Sequence, residues 1–257
     1  MNEPTYRNEL GQPIGAPLPQ WKAPPHPAHA PRTSFSGRYC RLVALDAARH
    51  AQDLRAANAL DADGSGWTYL SYGPLVTLED YHGWMRKSCM GDDPLFYAIV
   101  IDVNTPNEKA VGVASYMRID PASGCIEVGG IKYSPLLQRT RAATEAMHLM
   151  MKHAFVLGYR RYEWKCDTLN APSRAAAQRL GFSYEGIFRQ ATVYKQRSRD
   201  TAWYAIIDNE WPAIDAAFTR WLAAENFDAS GKQRMSLSAL TAPLLKRHDD
   251  DATINQP

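Results

Sequence analysis

The chain has 257 residues, 45% hydrophobic and 22% charged, with a net charge of +2. That is an ordinary globular composition with room for one sizeable core, and no long basic run marks a nucleic-acid partner. No apolar run approaches the ~18 residues that span a bilayer, and the N-terminus MNEPTYRNEL lacks a basic-then-apolar signal, so no membrane partner and a cytoplasmic location are expected.

Eight of the 17 prolines fall within residues 1–31, where WKAPPHPAHAPR reads as extended, polyproline-like chain. Residues 1–35 are therefore expected to form an arm, pinned by Trp21 and Leu18 to the domain surface or to a partner subunit in a homodimer. Residues 37–45 alternate as a strand, and 46–58 read as a helix capped by Asp46. A second helix is expected at 78–89 and a buried strand at 96–102. Two more strands, 109–120 and 125–133, meet at a turn around Pro121 and Gly124. Residues 141–157 give the strongest helical period, with Ala143, Ala146, Met147, Met150, Ala154 and Leu157 on one face and Gly158 as the stop. A strand at 159–166 follows. In NAPSRAAAQRLGFSYEG, Asn170 is an N-cap, Pro172 sits where no amide is lost, and Gly181 with Phe182 forms a left-handed stop.

Strands at 185–194 and 201–208 should form a hairpin across QRSRD, and a closing helix should run over 211–227. From Gly231 the chain is polar and expected to fray, so 36–227 is the domain and 228–257 a tail. Strands first, then strand–helix–strand–helix–strand, indicate one α/β domain with a mixed, largely antiparallel central sheet flanked by helices. Cys40, Cys89, Cys125 and Cys166 are widely spaced with no CxxC pair, and His148 and His153 do not share a helix face, so no metal site is expected.

Two helix starts carry the chemistry. SPLLQRTRAATEA leaves a strand at Tyr133 and opens the strongest helix, so the free amides of 139–143, with Arg139 and Arg141, form either an anion cradle or an arginine-rich surface turn. Neither GxxxxGK[ST] nor GxGxxG is present. The short helix at Asn170 presents a second set of free amides, as an anion site or simply as a well-capped connection.

Taken together, the two stretches resemble the acyl-CoA-binding half of the GNAT superfamily of N-acetyltransferases, over about residues 36–227. In that family the helix opens with [QR]-x-x-G-x-[GA]; here the match is Gln138-x-x-Arg141-x-Ala143, with arginine for the glycine. LNAPSRAAAQRLGFSYEGIFRQ, RDTAWYAIID and EWP resemble the branch that includes N-terminal acetyltransferases of ribosomal proteins. The resemblance implies a GNAT-like domain that binds acetyl-CoA through Ile131, Tyr133, Gln138, Arg139, Thr140, Arg141, Ala142, Ala143, Asn170 and Ser173. It implies direct transfer of acetyl to a small-molecule amine or a peptide N-terminus.

The tyrosine that many members carry four residues before Gly-Phe is Ala177 here. Ser173 is the nearest proton donor to the CoA thiolate, with capping of its own helix as the competing role. Glu127 is the candidate base, against an ion-pairing role, with Asp200 and Glu163 as weaker candidates. A free amide in 129–133 is the candidate oxyanion donor. The branch's glutamate after Gly-Phe is replaced by Gln190, Ala191 and Thr192. Residues 61–93 carry six acids and two bases, a net −4, and Trp67, Tyr69 and Tyr72 are either acceptor walls for a cationic amine or part of a solvated surface with Trp67 plugging the core. The rival reading is an acyl-CoA-binding sensor or scaffold with a decayed site.

Overall fold

Apolar runs with a period of two pair into one sheet, and runs with a period of 3.6 cover its two faces. The computed structural model describes residues 6–29 and 34–249. In chain order its elements are β1 (Tyr6–Arg7), β2 (Pro13–Ile14), β3 (Phe35–Ser36), β4 (Arg41–Ala44), α1 (Ala47–Asn58), α2 (Leu78–Ser88), β5 (Leu95–Ile101) and β6 (Lys109–Asp120). They continue as β7 (Cys125–Tyr133), α3 (Arg141–Val156), β8 (Arg161–Asp167), α4 (Ala171–Arg179), β9 (Ser183–Tyr194), β10 (Arg197–Ile207), α5 (Trp211–Leu222) and α6 (Leu237–Thr241). Among the described residues, eight strands form one sheet in the order β3-β4-β5-β6-β7-β8-β10-β9. Only β7 and β8 run parallel, because α3 carries the chain back between them.

The helices begin where short polar side chains replace missing carbonyls. Asp46 accepts from the amide of Arg49, Thr140 from that of Ala143, and Asn170 from that of Ser173. Thr77 and Asp80 cap α2 reciprocally. On one sheet face, Ile126, Val128, Tyr162 and Trp164 pack with Met147 and Met150 of α3 and Phe218 of α5. On the other, Ala98, Val100 and Val113 pack with Leu54 of α1 and Tyr81, Trp84 and Met85 of α2. β7 and β8 pair only from Cys125 and Arg161 to Val128 and Trp164. Beyond that, the register of β7 against β6 shifts between Val113 and Ser115, and Gly130 takes a φ of 58°. The bulge bends β7 away from β8, and the two strands open into a wedge.

Several expectations change. The last hairpin turns on Lys195 and Gln196, both at positive φ, so β10 begins at Arg197 and no five-residue loop intervenes. The closing helix ends at Leu222, because Ala223 leaves helical geometry. The arm is not uniformly polyproline-like: β1 and β2 form a small hairpin. Trp21 does lie against the domain, where its ring blocks any side chain at Gly124, but Leu18 is exposed. Phe35, assigned to the arm, is buried in the core as part of β3.

The chain after Gly231 does not fray throughout. Leu237 and Thr241 are fully buried, Thr241 Oγ1 donates to the Arg179 carbonyl, and Asp249 pairs with Arg174. The residues beyond 249 lie outside the described residues.

Buried histidines make the fold acid-sensitive. Burial lowers His50, His148 and His153 from their ordinary value of 6.5, against a raising effect of Asp215 on His148. His50 also needs its neutral form, since its Nδ1 accepts from the amide of Asp46. The unfolded chain therefore binds more protons than the folded one, and this stability is present above pH 6.5 and lost as pH falls below it. Tm should decline from pH 7 to pH 5; a flat calorimetric profile over that range would contradict the assignment.

Candidate active site

The wedge between β7 and β8 opens into a cleft of about 2140 Å³, bounded by the first turns of α3 and α4, the loop after α1 and the β9–β10 hairpin. Its first wall is the entry to α3. The carbonyl of Ser134 accepts from the amides of Leu137 and Gln138, Leu137 plugs into the core, and Arg139 takes a φ of 60°. Gln138 Nε2 ties the loop to the Tyr133 carbonyl, and the Tyr133 hydroxyl donates to that of Ala143. The amide of Ala143 is taken by Thr140 Oγ1, so the cradle consists of the remaining first-turn amides, those of Arg141 and Ala142.

Three arginines face this end of the cleft. Arg141 lies between the rings of Tyr39 and Phe227, 4.9 and 4.5 Å from their centroids. Arg179, at the end of α4, reaches across to Thr144 Oγ1 at 3.0 Å and over Trp221. Among the described residues none of Arg139, Arg141 and Arg179 has a carboxylate partner. Three guanidiniums without carboxylate partners beside free helix amides have the chemistry that suits a polyanion. Arg179 was missed in the sequence because only folding brings the last turn of α4 to the first turn of α3.

The middle of the cleft holds α4's first turn. Asn170 Oδ1 accepts from the amide of Ser173 as the N-cap of α4. The Ser173 hydroxyl also has a second partner: the Trp164 indole N–H donates to its Oγ at 3.0 Å. That bond fills an acceptor site on Oγ and leaves its O–H as a donor. Cys166 lies beside it, and burial pushes its thiol up to about 11 against the lowering effect of Ser173. A thiol so held is not a nucleophile at neutral pH. Opposite, Ile131 follows the Gly130 bulge that ends the β7–β8 pairing.

At the far end the two readings of Trp67 part, and the wall reading gives way to the core one. Trp67 does not line the cleft; it is buried beneath Lys132, whose Nζ sits 4.4 Å from its ring centroid. Tyr69 and Tyr72 do line it, with Trp84, Phe96, Phe188, Tyr194 and Trp203. The Tyr69 hydroxyl donates to the Leu169 carbonyl, and Lys195 Nζ to that of Trp67, tying the loop to the opposite wall and to the hairpin. Asp167, 4% exposed, accepts from the Tyr194 hydroxyl; burial and that carboxylate push the phenol up to about 12.

Two of the loop's acids, Asp61 and Glu79, meet a cation, and all but Asp61 are exposed and keep their charge. Asp61 pairs with the buried Lys132, Asp63 and Asp80 accept amides of their own turns, Glu79 pairs with Arg86, and Asp93 accepts the amides of Arg118 and Ile119.

Glu127 projects from the open face of β7 with both oxygens occupied. Arg118 Nε and Nη2 hold Oε2 and Oε1 at 2.7 Å, and Lys165 Nζ holds Oε2 at 2.9 Å. Lys165 also pairs with Glu163, and Arg161 pairs with Glu163 and Glu185. The result is an alternating ladder across four strands, Arg118–Glu127–Lys165–Glu163–Arg161–Glu185. Asp200, the other candidate base, accepts the amide of Gln190 in the hairpin.

The family model of the acetyltransferase (GNAT) domain matches residues 41–183. A GCN5-related N-acetyltransferase from Brucella melitensis is 45% identical with a TM-score of 0.82, covering 88% of this chain and 100% of that one. A probable acetyltransferase of the GNAT family from Chromobacterium violaceum is 39% identical, with a TM-score of 0.71 over 79% of this chain and 98% of that one. RimL, a ribosomal L7/L12 alpha-N-protein acetyltransferase solved with coenzyme A, shares the fold at 21% identity and a TM-score of 0.55, over 68% of this chain and 99% of that one. No protein of curated function matches the sequence.

Proposed function

This chain belongs to the GNAT acetyltransferase family, and we propose that it moves the acetyl group of acetyl-CoA directly onto a primary amine of a small molecule or a peptide N-terminus. The observation that carries the reading is the trio of carboxylate-free arginines beside the free amides of α3. They suit the phosphates of CoA, and the wedge past Val128 leaves room for its pantetheine arm. Removing Arg139 and Arg179 together by alanine should weaken CoA binding by at least about 2 kcal/mol, roughly thirtyfold in Kd, since each charge-assisted bond to phosphate contributes on that scale. Arg141→Ala should also lower Tm, because its stacking between Tyr39 and Phe227 is lost. Calorimetric titration with CoA checks the first and thermal unfolding the second; unchanged binding by the double variant would show that the phosphates lie elsewhere.

In the transfer, the amine nitrogen forms a bond to the acetyl carbon, the carbon–sulfur bond breaks, and CoA leaves as a thiolate that takes a proton. Ser173 is assigned as the donor of that proton, its Oγ being oriented by Trp164 and reprotonated in the same step from the proton that the amine gives up through water. The oxyanion is assigned to an amide of the Gly130–Ile131 bulge, which has an unpaired residue to offer. Glu127 is reassigned from base to counter-ion, because both its oxygens already accept from cations. The amine's proton then leaves through water in the cleft. A free-thiol assay with acetyl-CoA and a panel of amines and short peptides tests the reading; CoA binding without release of thiol on any of them favours the sensor instead.

A further inference from the structure

The ion-pair ladder has a direction. Its interior charges, Glu127, Lys165 and Glu163, are 2%, 8% and 10% exposed at the side chain, whereas its ends, Arg118 and Glu185, are 56% and 39% exposed. Three cations answer three carboxylates, so the ladder is neutral as a whole and terminates in a cation at the cleft. Lys165 and Arg161 already serve the two inner acids. The guanidinium of Arg118 uses Nε and Nη2 on Glu127 and keeps Nη1 for another acceptor.

Arg118 is also held where it would not go by itself. It is a non-glycine residue at a φ of 48°, in the bulge of β6, and the Asp93 carboxylate grips its amide and that of Ile119. Such a conformation persists only where its surroundings over-determine it, and it aims this side chain back over β7 into the cleft. Beside it, Tyr72 stacks on Trp84, Trp84 meets Phe96 edge-on, and Trp203 stands over Lys165, all lining the same end.

We infer that the acceptor is an amine that also carries a carboxylate, read by Arg118, with an apolar body received by the aromatic wall, as in an amino acid with a large side chain. The inference rests on the acetyltransferase reading above and names the acceptor within it. It goes beyond the expectation of a purely cationic amine by adding a carboxylate, for which Arg118 is the reader.

The test is thiol release from acetyl-CoA with matched pairs: phenylalanine against 2-phenylethylamine, tryptophan against tryptamine, and alanine against ethylamine. The carboxylate-bearing member should have a kcat/KM at least tenfold higher in the two aromatic pairs, and phenylalanine should exceed alanine. Arg118→Gln should bring the pair ratio close to one by raising KM for the amino acid, with the Kd for CoA unchanged, and Arg118→Lys should restore part of the preference. Equal or better turnover of the decarboxylated amines overturns the inference, as does an Arg118→Gln enzyme that keeps the preference. Failure of every pair with CoA still bound also overturns it. Failure to bind CoA at all would instead overturn the acetyltransferase reading.

Discussion

A Ser173→Ala enzyme is expected to transfer acetyl about 10²–10⁴-fold more slowly than the parent, the range over which a positioned general acid acts, while CoA affinity stays near normal. The hydroxyl is set up for that role by two elements at once. Its backbone sits in the first turn of α4, capped by Asn170, and its oxygen accepts from the Trp164 indole on β8. The cap uses the Ser173 amide, which survives the substitution, so the stability cost should be that of the Trp164 indole losing its acceptor, about 1 kcal/mol. Asn170→Ala provides the contrast: it removes the cap, lowering stability by about 1 kcal/mol, and keeps the hydroxyl. Trp164→Phe removes the orienting donor and should fall between the two in rate. Single-turnover measurement isolates the chemical step. A Ser173→Ala enzyme with a near-parental rate there would leave water or the incoming amine to protonate the thiolate.

Asp249→Ala should destabilise the fold by about 3–5 kcal/mol, because it strands a buried guanidinium. The Arg174 and Asp249 side chains are 4% and 0% exposed, and the two form a bidentate pair joined by the Tyr204 hydroxyl. Burial works against the charge on Asp249, but hydrogen bonds from Arg174 and Tyr204 outweigh it and hold the carboxyl below its usual range. Arg174 follows Ser173 on α4 and also donates to the Thr168 carbonyl, so the pair fixes both the helix and the loop before it. Chemical denaturation should show the loss in midpoint with the slope unchanged. Asp249→Asn, which keeps the shape and one acceptor oxygen, should recover part of it. A parental midpoint for Asp249→Ala would mean that the last segment only rests on the domain.

What the sequence determined was local. The caps at Asp46 and Asn170, the Gly181 stop, the strands at 109–120 and 125–133 and the period of α3 are each written within a few residues, because caps, turns and side-chain alternation act over one or two turns of chain. The resemblance to the acetyltransferase family was legible for the same reason: its two motifs are helix entries. What only the tertiary structure decided is which distant charges meet.

The ladder from Arg118 to Glu185 draws on β6, β7, β8 and β9, and its order follows from strand register and from β10 inserting between β8 and β9. Spacing along the chain does not encode that. Arg174 and Asp249 are 75 residues apart, and no local pattern told Asp249 from the other aspartates of the HDDD run. Trp67 could read as a wall until the fold placed Lys132 over its ring, and Glu127 as a base until Arg118 and Lys165 closed on it. A polar or aromatic residue in a cleft acquires its role from what the other strands bring to it.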